Sequence, residues 1–210
     1  MKKRERKSAA ATRDLLLDAA TSLMAERRSP DISLADIAER TGMSRALVIY
    51  YFGSKEGMLL AVLDLGVSQA VAGLAELAVA DLPVKTKLRM HISGLVRTYI
   101  QVPYANQLLQ LMMLPDNPGR AHKVAEIYVR PLSEFYQSII EQGAREGVFR
   151  VVDARLFYFM LVGATEHFTA SGLVMSDIFG EPGITEVLQR RYEAFLYETA
   201  LGVLAPGERD

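Results

Sequence analysis

The 210-residue sequence contains no cysteine and no tryptophan, and only three of its residues are histidines. The absence of cysteine excludes disulfides, thiolate zinc sites, iron–sulfur clusters and cysteine nucleophiles, and it is compatible with a reducing cytoplasm. The three histidines, His91, His122 and His167, lie far apart and do not follow the short spacings of histidine metal sites. We therefore expect no bound metal ion and no other cofactor.

The sequence also lacks a long apolar run without polar interruption. Its most apolar stretch, residues 58–82, contains Asp64, Gln69, Glu76 and Asp81. This pattern predicts a buried helix with one solvent-exposed face rather than a membrane span. The N-terminus passes from charged residues directly into an amphipathic pattern, without the apolar core of a signal peptide. Because half of the residues are apolar and 23% are charged, we expect a globular, cytoplasmic protein without a membrane partner.

The whole chain has little excess charge of either sign, because 24 basic residues face 25 acidic ones. The two parts of the chain differ, however. Residues 1–60 hold 11 basic and 8 acidic residues, whereas residues 61–210 hold 13 and 17. The bases are densest in an N-terminal arm, residues 1–11, which can contact phosphates or enter the minor groove of DNA. Alternatively, this arm is a solvated charged terminus.

The prevailing apolar period is helical. Apolar residues recur on one face of a helix over about 12–27, and further helical segments follow. The last two long helices are expected over about 153–175 and 184–204, and no stretch shows the period-2 alternation of a strand. The predicted fold class is all-α, with a small N-terminal three-helix bundle at 12–58 and a larger C-terminal helical domain at 59–210.

The N-terminal bundle contains the spacing of a helix-turn-helix at about 33–53. Ser33 stands three residues before Asp36, as in a variant capping box, and opens a short helix. Gly42 permits a tight turn, and Ser44 caps a second short helix. The same pattern also occurs in an ordinary three-helix packing unit, which is the alternative interpretation.

Two stretches of this region resemble the DNA-binding domain of the TetR family of transcriptional regulators. They are LADIAERTGMS at 34–44 and YYFGSKEGML at 50–59. The resemblance covers residues 13–63, about a quarter of the chain, and the remainder is similar to the family only in length and helical character. It implies a DNA-binding regulator whose residues 59–210 bind an effector and mediate dimerisation.

The resemblance also implies a set of DNA contacts. Ser33 and Lys55 correspond to phosphate contacts, with Lys55 in the first turn of the fourth helix. Arg45 can donate two hydrogen bonds to guanine, and Ala46 offers an apolar surface. Family members usually carry Tyr at the position of Ile49 and Gly or Pro at that of Ala46, so we expect an apolar contact at Ile49. The full predicted set is Ser33, Ser44, Arg45, Ala46, Ile49, Tyr50, Tyr51 and Lys55.

The last two predicted helices favour a homodimer. One helix carries small residues that permit close approach, and the other carries a wide apolar stripe. Two such helices from each subunit would form a four-helix bundle. Alternatively, both stripes are buried within one chain. The predicted interface residues are Gly163, Ala164, Ser171, Leu188, Tyr192, Phe195 and Thr199.

Methionine and aromatic residues predict a pocket for a small-molecule effector, since such side chains suit varied apolar ligands. The same residues at helical spacing also form an ordinary core, which is the alternative. The candidates are Met90, Tyr99, Tyr104, Met112, Met113, Tyr128, Phe135, Phe159 and His167. The break at 115–119 is expected to let the preceding helix shift when the effector binds, and so to couple the effector to the DNA-binding helices.

Together these features predict a homodimer that binds double-stranded operator DNA and acts as a ligand-responsive repressor. An effector-independent DNA-binding regulator or an activator is an alternative. A helical enzyme that uses Glu166 and His167 as acid and base is a more distant one, because no nucleophile, metal cluster or phosphate loop accompanies that pair.

Overall fold

The computed structural model describes residues 2–206, with side chains from residue 9 onward. The chain is 79% helical and the described part contains no strand, so the predicted all-α class is confirmed. Two π-helical turns lie at Ala125–Val129 and Val174–Ile178. The α-helices of the described residues are α1 Lys2–Arg27, α2 Leu34–Thr41, α3 Arg45–Phe52, α4 Lys55–Val79, α5 Val84–Gln101, α6 Ala105–Met112, α7 Pro118–Val124, α8 Arg130–Arg145, α9 Ala154–Ala170 and α10 Glu186–Leu204.

The chain forms two compact units. The first unit comprises Met1–Ser68 and Val102–His122, and the second comprises Gln69–Gln101 and Lys123–Asp210. The first unit is thus larger than the bundle predicted at 12–58, because α6 and the start of α7 pack with it. A functional boundary near residue 58 stays a prediction.

The first helix begins earlier than the sequence pattern predicted. α1 starts at Lys2 rather than near residue 12. Three consecutive alanines, residues 9–11, have the highest helix propensity and extend the helix beyond its amphipathic part. Most of the arm predicted at 1–11 therefore belongs to α1. Its contacts with DNA stay a prediction, since the side chains of residues 1–8 lie outside the described residues.

The first unit has a core that fixes its short helices. Ile37 of α2 and Val48 of α3 are both fully buried, as expected for a packed helix pair. Burial of each such side chain stabilises the fold by about 1.5–3 kcal/mol. Buried apolar side chains of α1 and α4 complete this core: Leu16, Leu17, Ala19, Ala20, Leu23, Met24, Met58, Leu59, Val62 and Leu63.

The second unit packs α5, α8, α9 and α10 around one apolar cluster. Its central members are Leu88, Ile92, Val96, Tyr136, Ile139, Phe157, Leu161, Leu196 and Ala200. The buried Lys87 is satisfied at the edge of this unit, where its Nζ donates to Ala78 O at 2.7 Å and Gln142 Oε1 at 3.0 Å. Since Ala78 lies in the last turn of α4, the ammonium group caps a helix carbonyl that would otherwise lack a partner.

The last two long helices are close to their predicted positions, with one difference. α9 ends at Ala170, short of the predicted residue 175. The Ser171 hydroxyl donates to His167 O at 2.6 Å and competes with helix continuation, and Gly172 follows it. α10 begins at Glu186, where the Thr185 hydroxyl accepts from Leu188 N at 3.2 Å.

α4 is, among the described residues, the helix that is long and apolar enough to cross a membrane by length and composition. Five of its side chains are buried in the protein: Met58, Leu59, Val62, Leu63 and Val67. A core helix passes the same test, so this property does not by itself indicate a membrane segment.

Candidate nucleic-acid interface

The start of α2 is fixed by a capping box and an ion pair. Asp36 N donates to Ser33 Oγ at 3.1 Å, and Ser33 N donates to the Asp36 carboxylate at 2.6 Å, as the sequence predicted. Arg27, at the end of α1, donates to both carboxylate oxygens of Asp36 at 2.9 and 3.3 Å. The hydrogen bonds from Arg27, followed by those from Ser33, hold the pKa of Asp36 well below its usual range. The first helix of the motif is therefore anchored to α1.

A second ion pair holds the other end of α2. Arg40 donates to the two carboxylate oxygens of Glu26 at 2.9 and 2.6 Å, which lowers the pKa of Glu26. Exposed ion pairs contribute little to stability. Their effect here is orientational, because two planar, bidentate pairs at opposite ends restrict rotation of α2 on α1.

The turn between α2 and α3 has the conformation that its glycine permits. Gly42 has φ +68°, and its N–H is directed at the carbonyls of Ala38 and Glu39. This left-handed cap terminates α2 at low cost, because glycine has no Cβ. Ser44 then accepts a hydrogen bond from Leu47 N at 3.2 Å and caps α3, as predicted.

All but one of the eight predicted DNA contacts are exposed. The seven exposed ones are Ser33, Ser44, Arg45, Ala46, Ile49, Tyr50 and Lys55. Tyr50 is 79% and Ile49 47% exposed, which is high for such apolar surface on a helix whose other face is buried. Tyr51 is half-buried and packs edge-to-face on Tyr50, with ring centroids 5.3 Å apart. α3 thus has a buried side that fixes it and an outward side open to a partner.

The corner between α3 and α4 depends on two glycines. Gly53 has φ +75° and ends α3, while Ser54 Oγ accepts from Gly57 N at 3.0 Å and caps α4. Gly57 lies so close to the carbonyl oxygen of Phe52 that a Cβ would not fit. This close approach places Lys55 in the first turn of α4, beside the C-terminal end of α3.

The sequence alone did not predict the close approach at Gly57, and it marked Arg13 only as one of the N-terminal bases, not as a contact of α3. The guanidinium of Arg13 lies 5.2 Å from the centroid of the Phe52 ring and joins α1 to the end of α3. A glycine three residues after a capping serine, where most residues would be tolerated, was the available sign of the close approach. Phe52, the partner of Arg13, is distant in sequence, so no local pattern indicated this contact.

The comparisons with known proteins cover both parts of the chain. The family described as "Bacterial regulatory proteins, tetR family" matches residues 16–62, and "Tetracyclin repressor-like, C-terminal domain" matches residues 81–209. The chain belongs to the TetR family of transcriptional regulators. The resemblance predicted from two short motifs is confirmed, and with it the prediction of a DNA-binding regulator.

Individual proteins resemble the chain either in the sequence of one segment or in the fold of nearly the whole chain. The regulator EthR of Mycobacterium tuberculosis is 43% identical over 63 residues, which cover 30% of this chain and 29% of EthR. A TetR-family regulatory protein from Rhodococcus RHA1 is 19% identical over 93% of this chain and 98% of its own, with a TM-score of 0.72. FadR from Bacillus subtilis, solved with stearoyl-CoA, is 20% identical over 90% and 98%, with a TM-score of 0.66. The last two likenesses concern the fold alone.

The residues predicted to line a TetR-type effector pocket are divided between the two units. Tyr104, Met112 and Met113 lie in the first unit, whereas the others lie in the second. Within the second unit, Tyr128 and Phe135 are buried and Tyr99 is half-buried. The remaining three candidates are at the surface of the chain: Met90, Phe159 and His167.

The interior of the second unit contains polar groups that the sequence did not single out as ligand contacts. His91 Nε2 is 2.8 Å from Tyr136 Oη, and both side chains are buried. Burial lowers the pKa of His91 to about 3, so its ring is neutral. The pKa of Tyr99 is raised, chiefly by its burial and further by the charges of Tyr158 and Glu166. No pattern along the chain indicated the pair formed by His91 and Tyr136, because the two residues are 45 positions apart.

The predicted dimer residues divide into two groups. Gly163, Phe195 and Thr199 are exposed, whereas the others are half-buried: Ala164, Ser171, Leu188 and Tyr192. Tyr192 stacks on Phe168 with ring centroids 3.7 Å apart, and its hydroxyl donates to Ala164 O at 2.6 Å. Tyr192 and Ala164 therefore also join α9 to α10 within one chain. For these two residues, this agrees with the alternative that the stripes are buried within a single chain.

The TetR family consists of regulators rather than enzymes. Glu166 and His167, considered above as an acid and base, are consecutive residues of α9, half-buried and exposed respectively. Within the described residues, no group of three or more His, Asp or Glu side chains is placed to hold a metal ion.

Proposed function

We propose that this TetR-family chain is a cytoplasmic homodimeric repressor that binds a palindromic operator and is released from it by a small molecule. The observation that carries the DNA-binding part is the two-sided character of α3. Val48 anchors its inner side in the core, while Arg45, Ala46, Ile49 and Tyr50 are open on its outer side. A recognition helix requires both properties, because it must be rigid and must also reach base edges.

The operator contacts are the eight residues named above. Arg45 reads a base edge, Ser33 and Lys55 bind phosphates, and the exposed rings and methyl groups of α3 contact thymine methyls. In the described part of the chain, neither Arg45 nor Lys55 forms an ion pair with another side chain. Both charges are therefore available to DNA without a prior pair being broken.

Selection of duplexes from a random-sequence pool tests this function directly. We expect the purified full-length protein to enrich an inverted repeat whose half-sites are centred about 34–36 Å apart, or a multiple of that distance. The affinity should fall steeply with salt because phosphate contacts release counterions. Enrichment of no sequence, or of a single half-site, would contradict the proposal that the protein binds a palindromic operator.

The effector site is proposed in the interior of the second unit. Tyr99, Tyr128 and Phe135 provide apolar and aromatic surface there. Glu166 is half-buried and forms no ion pair with any described side chain, so its carboxylate can pair with a polar group of a ligand. The fold neighbour FadR was solved with stearoyl-CoA, which illustrates that an apolar ligand is compatible with this fold.

A thermal-shift assay with stearoyl-CoA, a long-chain amine and an aromatic carboxylate tests the effector. A true effector must raise Tm and also change the affinity for the selected duplex, because linkage between two sites is reciprocal. Tyr99→Phe should weaken the response, whereas Tyr197→Phe, at a buried tyrosine of the same unit outside the predicted pocket, serves as the matched control. A compound that raises Tm but leaves the DNA affinity unchanged would favour an effector-independent regulator.

A further inference from the structure

Arg120 has an unusual environment for a residue near the start of a helix. Its side chain is 10% exposed, and its guanidinium group is surrounded by four acceptors. Nε donates to Met112 O at 2.8 Å, and Nη2 is directed at Leu114 O at 3.4 Å and at Asp116 Oδ1 at 2.5 Å. Nη1 is 3.5 Å from Glu56 Oε1. No single partner accounts for this arrangement.

Three of the four partners lie at the end of α6 or in the connection from α6 to α7. Met112 and Leu114 lie at and after the end of α6, where carbonyl groups have no helical partner. By binding both carbonyls and Asp116, Arg120 fixes the path of this connection. A planar group with five fixed donors suits this task, whereas lysine has a single point of charge.

The fourth partner, Glu56, has a different position in the chain. It lies in the first turn of α4, directly after Lys55 and directly before Gly57, which contacts the end of α3. All residues of this network belong to the first unit. The contact therefore ties the α6–α7 connection to the corner that carries the phosphate-binding Lys55.

We propose that Arg120 is a positioning residue for DNA binding, which acts through Glu56 to hold the first turn of α4 in the conformation that places Lys55 on a phosphate. The inference rests on the proposed DNA-binding function. Arg120 itself does not contact DNA. Because the guanidinium is largely shielded from water, its pair with Glu56 is screened less by salt than the exposed pairs on α1 and α2. Loss of Arg120 leaves the Glu56 carboxylate without its cationic partner, whereas loss of Glu56 leaves the guanidinium bound only to Asp116 and the two carbonyls, with no contact to α4.

Removal of the Glu56 carboxylate changes the DNA affinity in opposite directions under the two explanations, positioning of Lys55 and simple charge repulsion. Removal of a carboxylate next to a phosphate contact should strengthen DNA binding if charge alone matters, since it removes repulsion. A positioning role predicts weaker binding instead. Glu56→Gln is therefore the decisive variant, and its side chain is 39% exposed, so the substitution is compatible with folding.

The experiment measures affinity by fluorescence anisotropy for a duplex that the wild-type protein selects from a random pool. The variants are Glu56→Gln, Arg120→Gln and the double variant, each corrected for its active fraction by stoichiometric titration. We expect both single variants to bind the duplex about tenfold more weakly. A loss of this size lies within the range of interaction free energies measured between residues of one hydrogen-bond network. The double variant should be no weaker than Arg120→Gln alone, because both substitutions break the same contact.

Asp116→Asn is the matched control. It removes the other carboxylate from the same guanidinium, but that carboxylate is 67% exposed and lies in the α6–α7 connection. We expect its affinity to stay within about twofold of wild type, as for exposed i,i+4 pairs. Equal losses in Asp116→Asn and Glu56→Gln would assign Arg120 a purely structural role and overturn the proposal.

Two further results would overturn it: tighter binding by Glu56→Gln, or losses that add in the double variant. If Arg120→Gln does not fold, Glu56→Gln alone decides by the sign of its effect. Failure of the wild-type protein to select any duplex would count against the proposed function itself, and it is seen before any variant is made.

Discussion

Two kinds of arginine surround the helix-turn-helix. Arg27 and Arg40 each bind a carboxylate with both ends of the guanidinium group, and these pairs orient α2. Arg45 forms no ion pair with a described side chain and extends from the first turn of α3. The paired arginines thus support the motif, while Arg45 and Lys55 are available to the partner.

This division predicts different losses for Arg45→Ala and Lys55→Ala. Arg45→Ala should cost roughly 1–3 kcal/mol on the selected duplex and relax the preference at one base pair. Lys55→Ala should weaken all duplexes to a similar extent and reduce the salt dependence by about one phosphate. Binding isotherms on selected and scrambled duplexes at several salt concentrations measure both effects. If the two variants lost the same affinity on both duplexes, the assignment of roles would be wrong.

The buried His91 predicts a pH dependence of stability. Its pKa is about 3 in the folded chain and near 6.5 when unfolded, so below pH 6.5 the unfolded state binds more protons. The contribution of the neutral ring to the free energy of unfolding is fully present above pH 6.5 and is lost as the pH falls towards 3. Between pH 7 and pH 5 we expect a loss of about 2 kcal/mol from this residue.

Urea unfolding of the wild type and His91→Gln at both pH values measures this loss. Glutamine keeps a polar group near Tyr136 but does not titrate, so the variant should lose about 2 kcal/mol less than the wild type over that interval. Exposed His122 and His167 are present in both proteins and cancel in the difference. Parallel pH profiles for the two proteins would show that the ring of His91 is solvated in the folded state.

How much the sequence predicts depends on how local the cause is. Ser33, Gly42 and Ser44 act on their own helix ends, and all three roles were predicted. The extended start of α1 was missed because propensity, not amphipathicity, sets it. Arg120 was missed because its partner Glu56 is far away in sequence, and no pattern along the chain relates the two. Exposure of Phe159 also follows only from packing.

Among the helices, the contact of α3 with α4 is the most restrictive. Gly57→Ala would place a methyl group against the carbonyl of Phe52, and backbone cannot move aside as a side chain can. We expect a destabilisation of about 1–3 kcal/mol, as for other overpacked sites, together with weaker DNA binding. The two helices would have to separate, which displaces Lys55.

Gly73→Ala in the same helix is the matched control. Nothing lies within 4 Å of a Cβ at that position. Alanine should therefore stabilise α4 by about 0.5–1 kcal/mol through helix propensity and leave the DNA affinity unchanged. Thermal unfolding and anisotropy on both variants measure the pair of effects. A Gly57→Ala protein with unchanged DNA affinity would mean that the corner between α3 and α4 does not position the phosphate contact.

The second unit exposes large apolar side chains on α9 and α10. On α9, Leu156 and Phe159 are each 70% exposed, and on α10 Val187 and Phe195 are 63% and 66% exposed. Large exposed apolar patches commonly mark association surfaces. Dimerisation is typical of the family, and two recognition helices from two subunits would give a palindromic operator its symmetry.

Phe195→Arg tests whether this surface joins two subunits. In a single chain the new side chain would be solvated, since Phe195 is 66% exposed, so the variant should fold. In a dimer it would bury an unpaired charge at the interface, which is strongly unfavourable. We expect a folded monomer in sedimentation velocity, with near-wild-type helicity and greatly weakened operator binding. Val79→Arg, at an 85% exposed apolar residue at the end of α4, is the control and should sediment as the wild type does. A Phe195→Arg protein that remains dimeric would place the subunit interface on another surface, and the α9–α10 assignment would be withdrawn.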